Sequence, residues 1–375
     1  SGSTDYPTTV GAYQTISNGG GDIVISKFAP DGSLLWSTYY GGTNGESANG
    51  ITVNENNEIY VTGYTYSSDL PVSLGAYQTT GPNNPSNNCD MFIVKLGETG
   101  NRIWASFYGN NNTGCNGGPY EDALSVSAKK NSVVYGGYLT TNNLTTTANA
   151  YQTSLQGCTD QFFARFDTTG QRIYSTYFGG NNDDNIERLN LDLQDNIYIV
   201  GYTSSTNYPV LNAHQGATGG GLDATLTKFN SNDVLEWSTY LGGSSDDYLK
   251  NQVLVNNILY GVGYTSSSNF PTTDTSSANN GGIDYFLTSF DLNGQLLSAK
   301  VYGGNLDDIA FGIVKNGLGI YVGGNTNSTA GLASSNAYDT TFNGGTKDGF
   351  LSFHPNDYDI TWSTGDTTST ITVQP

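Results

Sequence analysis

Apolar residues along the chain fall in short runs broken by glycine, asparagine, serine and threonine, and nowhere recur at the spacing of an amphipathic helix. One run opens with an aspartate and returns six times, as Asp22-Ile-Val-Ile-Ser-Lys-Phe28, Asp90-Met-Phe-Ile-Val-Lys-Leu96, Asp160-Gln-Phe-Phe-Ala-Arg-Phe166, Asp223-Ala-Thr-Leu-Thr-Lys-Phe229, Asp284-Tyr-Phe-Leu-Thr-Ser-Phe290 and Asp348-Gly-Phe-Leu-Ser-Phe-His354. The aspartates stand 68, 70, 63, 61 and 64 residues apart, too regular for coincidence and too long for a solenoid of helix pairs.

Fourteen residues past each aspartate comes Trp36, Trp104, Tyr174, Trp237, Ser298 or Trp362, so all four tryptophans share one repeat position. A large ring in every repeat reads as packing between neighbouring sheets. Between aspartate and ring lie turns such as Pro30-Asp-Gly32, Thr168-Thr-Gly170 and Leu292-Asn-Gly294, where glycine supplies the positive φ of a hairpin. A Gly-Gly pair follows, then an acidic step, an apolar strand and a second hairpin into Tyr60-Val-Thr-Gly-Tyr-Thr65, Tyr198-Ile-Val-Gly-Tyr-Thr203 or Tyr260-Gly-Val-Gly-Tyr-Thr265. Four short strands per repeat predict an all-β fold, a β-propeller of four-stranded blades forming one domain over residues 1–375. Strands of the Asp22 type are expected third in their blades and those of the Trp36 type outermost. Six blades are expected, or seven if the chain belongs to a longer one. The first blade lacks a preceding pair of strands, and Ser369-Thr-Ile-Thr-Val373 is a candidate to complete it.

Composition narrows the partners. Lys+Arg total 13 against 33 Asp+Glu, a formal charge of −20, so nucleic acid and anionic bilayers would be repelled. No apolar run approaches the roughly 20 residues of a membrane-crossing helix, and no basic-plus-apolar leader opens the chain, so membrane insertion is not expected. Cys89, Cys115 and Cys158 form no CxxC, which leaves one disulfide and one thiol as the simplest reading. Cys115 with Cys158 is the first choice of pair, with Cys89 the alternative partner.

The set Asp-x-Phe-x-x-Lys-Phe, Trp-Ser-Thr-Tyr-x-Gly-Gly, Asp-Asp, Tyr-Val-x-Gly-Tyr-Thr and Pro-x-x-x-x-Ala-Tyr-Gln resembles the SBBP propeller repeat. It is carried by Trp36-Ser-Thr-Tyr39, Trp237-Ser-Thr-Tyr240 with Asp246-Asp247, and Pro71-Val-Ser-Leu-Gly-Ala-Tyr-Gln78. That resemblance implies a large bacterial protein outside the cell or on its surface, and it brings no catalytic residue with it. The ending from Ile360 to Pro375 is similar to the opening of Ig-like modules in proteins exported by the type nine route. Residues 363–375 are therefore expected either to close the ring or to lead into such a module, with further domains in the parent protein.

The Gly-Gly-acid connectors and the Pro-to-Ala-Tyr-Gln connectors are expected together on one face, the place to seek ligands. That face carries Glu46, Glu121-Asp122, Asp183-Asp184, Asp246-Asp247 and Asp307-Asp308. Because they recur in nearly every repeat, capping of turn N–H groups explains them best. Calcium is the alternative, with Asp122, Asp184, Asp247 and Asp308 as its ligands, although no dense Asp-x-Asp-x-Asp loop is present. His214 and His354 read as structural. Residues Gly109 to Asp122 form the most irregular segment. Loop tyrosines such as Tyr66 and Tyr120 could meet a sugar or a protein.

Three functions follow. A secreted or cell-surface module presenting a loop face to a glycan or protein partner, within a larger adhesin-like protein, comes first. A polysaccharide hydrolase or lyase would need a deep pocket with two carboxylates from different blades. A structural spacer would show a shallow face with no aromatic cluster.

Overall fold

Five of the six anchor aspartates open a strand and Asp22 stands just before one in the computed structural model, which describes residues 2–82, 89–109, 121–140, 142, 144–274, 279, 281–335 and 337–355, with backbone alone at 121 and 122. Blade 1 holds β1 (Ile23–Phe28) and β2 (Leu34–Tyr40). Blade 2 holds β3 (Glu46–Val53), β4 (Ile59–Thr65), β5 (Asp90–Leu96) and β6 (Arg102–Tyr108), and blade 3 β7 (Glu121–Ala128), β8 (Ser132–Leu139), β9 (Asp160–Asp167) and β10 (Arg172–Phe178). Blade 4 holds β11 (Asp184–Leu191), β12 (Ile197–Thr203), β13 (Asp223–Phe229) and β14 (Leu235–Leu241), and blade 5 β15 (Asp247–Val255), β16 (Ile258–Thr265), β17 (Asp284–Asp291) and β18 (Leu296–Tyr302). Blade 6 shows β19 (Asp308–Lys315), β20 (Gly319–Thr326) and β21 (Asp348–Pro355). The sheets are antiparallel meanders in chain order, so the fold is an all-β propeller. Trp362 and residues 363–375 lie outside the described residues.

The Asp22-type strands are third and the Trp36-type strands fourth, as the repeat predicts. The first strands, β3, β7, β11, β15 and β19, pack in succession against their neighbours and form the inner layer. Cores lie between blades: Val134 and Phe163 of blade 3 pack with Ile186, Leu189, Ile199 and Phe229 of blade 4. Every first strand carries one extra residue, a β-bulge, at Asn49, Leu124, Glu187, Lys250 or Phe311. A bulge leaves its residue outside the ladder and re-aims its side chain.

One expectation needs correction. The Ala-Tyr-Gln connectors leave the loop face and then run along the outer rim, beside the fourth strand. Phe107 N donates to Gln78 O at 3.2 Å, Tyr177 N to Gln152 O at 3.1 Å and Tyr240 N to Gln215 O at 3.2 Å. An outermost strand would otherwise expose unpaired N–H and C=O groups, and the connector satisfies them. The ring immediately before each pairing glutamine fills the wedge between blades: Tyr77 meets Tyr108 and Phe166, Tyr151 meets Phe178 and Phe229, and His214 meets Phe290.

The tryptophans clasp the next blade. Trp36 Nε1 donates to Glu98 O at 2.8 Å, Trp104 Nε1 to Thr168 O at 3.0 Å and Trp237 Nε1 to Leu292 O at 2.9 Å. Each indole also covers a hairpin glycine of positive φ, namely Gly100, Gly170 or Gly294, where an added Cβ would stand 2.7–2.8 Å from the ring. Blade 3 departs from the pattern, with Tyr174 in place of the indole and Asp233 at φ 59° in place of the glycine. Arg165 fills the gap, its Nε 2.9 Å from Asp233 Oδ1 and its other nitrogens on Ser132 Oγ and Asp195 O. The ion pair is buried and every guanidinium nitrogen has an acceptor, the kind of support such a pair needs.

Trp237→Ala should cost about 3–5 kcal/mol, the range for deleting a buried large aromatic. Gly294→Ala should cost about 1–2 kcal/mol from its positive φ alone. Urea unfolding of both singles and the double variant should show the double falling short of their sum, because the two groups touch.

Candidate functional site

The loop face is built on carboxylates. Asp184 accepts hydrogen bonds from Gly180 N at 2.7 Å, Ser205 Oγ at 2.9 Å and Thr203 Oγ1. Asp247 accepts from Gly243 N and Ser267 Oγ, Asp308 from Gly304 N and Ser328 Oγ, and Glu46 from Gly42 N and Thr65 Oγ1. The backbone of Asp122 lies in β7, and its side chain is outside the description. The anchor aspartates hold the connectors from the other side: Gln152 Nε2 donates to Asp160 Oδ2 at 2.5 Å while Gln152 Oε1 accepts from Gly179 N at 3.0 Å. Gln14 repeats this bracket between Asp22 and Gly41.

The two acids of each bracket converge on the first glycine of the Gly-Gly pair. A Cβ at Gly179 would lie 2.7 Å from Asp184 Oδ2 and 2.9 Å from Asp160 Oδ1, and one at Gly242 would clash with Asp223 and Asp247. Turn capping is thus part of a larger job, tying one blade to the next. Asp184, Asp247 and Asp308 are buried in separate blades; Oδ2 of each accepts from N–H and O–H donors, while Oδ1 of Asp247 and of Asp308 is buried with no hydrogen-bond partner. Among the described residues no three His, Cys, Asp or Glu side chains gather as a metal site.

Of the other candidates, Cys158 is exposed and Cys89 half-buried. Cys115 and Tyr120 lie outside the described residues, so the proposed disulfide does too. His354 sits between the rings of Tyr285 and Tyr302 with Nε2 3.1 Å from Ser352 Oγ, and burial lowers its pKa. Tyr66 makes an edge contact with Tyr64 on the loop face.

A second group escaped the sequence reading. Tyr202 meets Tyr248 with ring centroids 4.7 Å apart, and Tyr248 stacks on Tyr264 at 4.7 Å and 29°. All three rings are half-buried. Beside them the bulge residues Glu187 and Lys250 form an ion pair across neighbouring inner strands. Burial raises the Glu187 pKa against the pull of Lys250, and burial followed by the charge of Glu187 raises that of Tyr202, with Tyr138 also in its field. Asp246, exposed at the entry to β15, acts with Glu187 on Tyr248 and Tyr264. Tyr64, Tyr138, Tyr202 and Tyr264 share one repeat position, whereas Tyr248 occurs in a single repeat, next to Asp247. The bulge position is as varied: Asn49, Leu124, Glu187, Lys250, Phe311. That variation was a signal available in the sequence, hidden because bulges leave no local motif.

The brackets give a pH dependence. Burial first of all lifts the pKa of Asp184 to about 7, that of Asp90 to about 7 and that of Asp247 to about 6. Around Asp184 the facing groups are Asp160, whose charge adds to the rise, the hydroxyls of Thr203 and Ser205, and the more distant Tyr208 and Tyr240. A folded pKa above the unfolded value of about 3.9 means the fold holds the proton more tightly, and each unit is worth about 1.4 kcal/mol. The contribution is complete below pH ~4 and lost as pH rises through about 6 to 7. Urea midpoints should therefore fall between pH 5 and pH 8, and Asp184→Asn should flatten that fall.

Two stretches of the chain, residues 35–71 and 173–209, match the beta-propeller repeat family SBBP. No curated protein sequence matches. Among solved structures, two mutants of the Synechocystis apocarotenoid oxygenase are similar at 9% and 10% identity, with TM-scores of 0.39 and 0.38, over 80% of this chain. The chain spans 61% of the length of those proteins. The likeness is loose, and nothing about activity follows from it. Both family matches run from a fourth strand into the first two strands of the next blade, the stretch that carries the indole or tyrosine clasp, the Gly-Gly corner and the carboxylate bracket: the chain is a β-propeller in which two stretches match the SBBP repeat.

Proposed function

We propose that the protein is a binding module of an extracellular or cell-surface bacterial protein of the adhesin kind, and that it takes a glycan at the inner tyrosine cluster of blades 4 and 5. The observation that carries this reading is the stack of Tyr202, Tyr248 and Tyr264 beside Glu187 and Lys250. Half-exposed tyrosine faces stack on the apolar faces of sugar rings, while their hydroxyls and a nearby ion pair exchange hydrogen bonds with sugar hydroxyls. A spacer has no use for such a cluster. The repeated positions on this face are spent on joining blades, so selectivity has to come from positions that differ between repeats.

A hydrolase reading has one point in its favour, since Glu187 and Asp246 flank the same tyrosines from different blades. Against it, Glu187 is committed to Lys250, and a glycosidase needs both acids available at the scissile bond.

A glycan array of the full chain, with and without calcium, followed by calorimetry and a turnover assay on any hit, separates the readings. Saturable binding without product is expected, and Tyr248→Ala should weaken it by about tenfold or more, the scale of one lost stacking contact, with an unchanged melting temperature. Product release would replace binding with catalysis. Silence on all glycans would move the search to a protein partner.

A further inference from the structure

We infer that the glycan taken at the inner tyrosine cluster is an acidic one and that the guanidinium of Arg188 on β11 receives its carboxylate, a step that rests on the glycan reading of that cluster. The first ground is how the arginines are used. Of the four in the chain, Arg165 pairs with Asp233, while Arg102 and Arg172 lie over the rings of Tyr13 and Tyr77 with one Nη each on a backbone carbonyl. Those three hold blades and connectors together. Arg188 is half-buried and pairs with no acid: Nε alone is engaged, 3.3 Å from Asn251 Oδ1, and both Nη groups are without a partner among the described residues.

The second ground is the place of Arg188 in the repeat. It stands directly after the bulge, where the other inner strands have Gly50, Ser125, Asn251 and Gly312. Ser125 and Asn251 spend their polar atoms on the inner strands around them. Ser125 Oγ accepts from Leu189 N at 3.0 Å, Asn251 Nδ2 donates to Phe311 O at 3.0 Å, and Asn251 Oδ1 accepts from Gln252 N at 2.9 Å as well as from Arg188. A hydroxyl or a short amide is enough to join one inner strand to the next. A guanidinium does that with Nε and keeps two Nη groups, side by side in one plane, in surplus.

The third ground is charge. Past the acids that open them, the five inner strands carry one carboxylate, that of Glu187, against Arg188, Lys250 and Lys315. Lys250 holds Glu187 in the ion pair, and burial raises the Glu187 pKa while the charges of Lys250 and then Arg188 work against that rise. One carboxylate between two cations leaves one positive charge over, next to the glutamate that acts on Tyr202, in a chain of formal charge −20. A protein so negative repels anions at long range, so an acid can be preferred only through a local donor. The planar Nη edge meets the two oxygens of a carboxylate in parallel hydrogen bonds, stronger than those between neutral groups. A neutral sugar leaves that edge and its charge unanswered.

The test is an array of oligouronides and sialylated chains beside the same chains with each carboxyl reduced to an alcohol, read with the full chain and followed by calorimetry on the hits. Carboxylated chains should bind about tenfold or more tighter than their reduced partners, the scale of one charge-assisted pair of hydrogen bonds. In Arg188→Gln, which keeps an N–H donor without the charge, that ratio should fall to about one. In Arg188→Lys, which keeps the charge without the fork, it should fall part of the way. If Arg188→Gln fails to fold, Arg188→Lys and the ratio in the unaltered chain still decide. Equal binding of carboxylated and reduced chains, weakened by Tyr248→Ala, overturns the role of Arg188 and leaves the glycan reading standing, whereas silence on every chain overturns both. A ratio that survives Arg188→Gln, or a preference for sulfate esters over carboxylates, also overturns it.

Discussion

The fold depends on a close approach at one glycine per blade. At Gly179 and Gly242 two carboxyl groups, one from the third strand of a blade and one from the first strand of the next, occupy the space a Cβ would need. Neither acid could be buried there unaided. The glutamine of the connector holds the first, the threonine and serine ending the second strand of the next blade hold the other, and the following glycine N–H completes the set. A connector, two blades and a turn are fixed by one cluster, so the angle between blades is set by hydrogen-bond lengths rather than by hydrophobic contact alone.

Much of this was legible in the sequence. The six anchors, the aromatic position and the Gly-Gly pairs predicted the blades and the order of strands within them, because each is a local requirement: positive φ at a turn, a ring at a sheet interface, apolar alternation along a strand. The path of the connectors was not legible. Nothing in Pro71 to Gln78 marks it as a strand; it pairs with β6 only because that strand would otherwise be an open edge. The tyrosine cluster was hidden for a related reason. Tyr202 and Tyr264 read as ordinary repeat residues, and only the bulges at Glu187 and Lys250, which depend on pairing with the next strand, bring charge beside them.

Repetition and chemistry divide the inner strands between them. The acid that opens each first strand is bound to the frame, and its environment hardly changes from blade 4 to blade 6. Three residues later the bulge presents whatever side chain stands there, at little cost to the ladder. Asparagine, glutamate, lysine and phenylalanine can share one backbone geometry because the bulged residue stands outside the pairing register of the ladder. Such a scaffold can vary its inner surface while its joints stay fixed.

The exchange at the blade 3–4 joint, tyrosine for tryptophan and aspartate for glycine with Arg165 between them, bears on how such a chain grows by duplication. A repeat copied from elsewhere and inserted between Tyr174 and Asp233 would bring a glycine hairpin to Arg165 and leave that guanidinium buried with no counter-charge, while its own indole would meet Asp233, whose side chain stands where a ring needs bare backbone. Genetic recombination at that seam is therefore penalised in the folded product, whereas the Trp104–Gly170 and Trp237–Gly294 joints accept one another's halves. The joint between blades 3 and 4 thus matches its own two halves to each other.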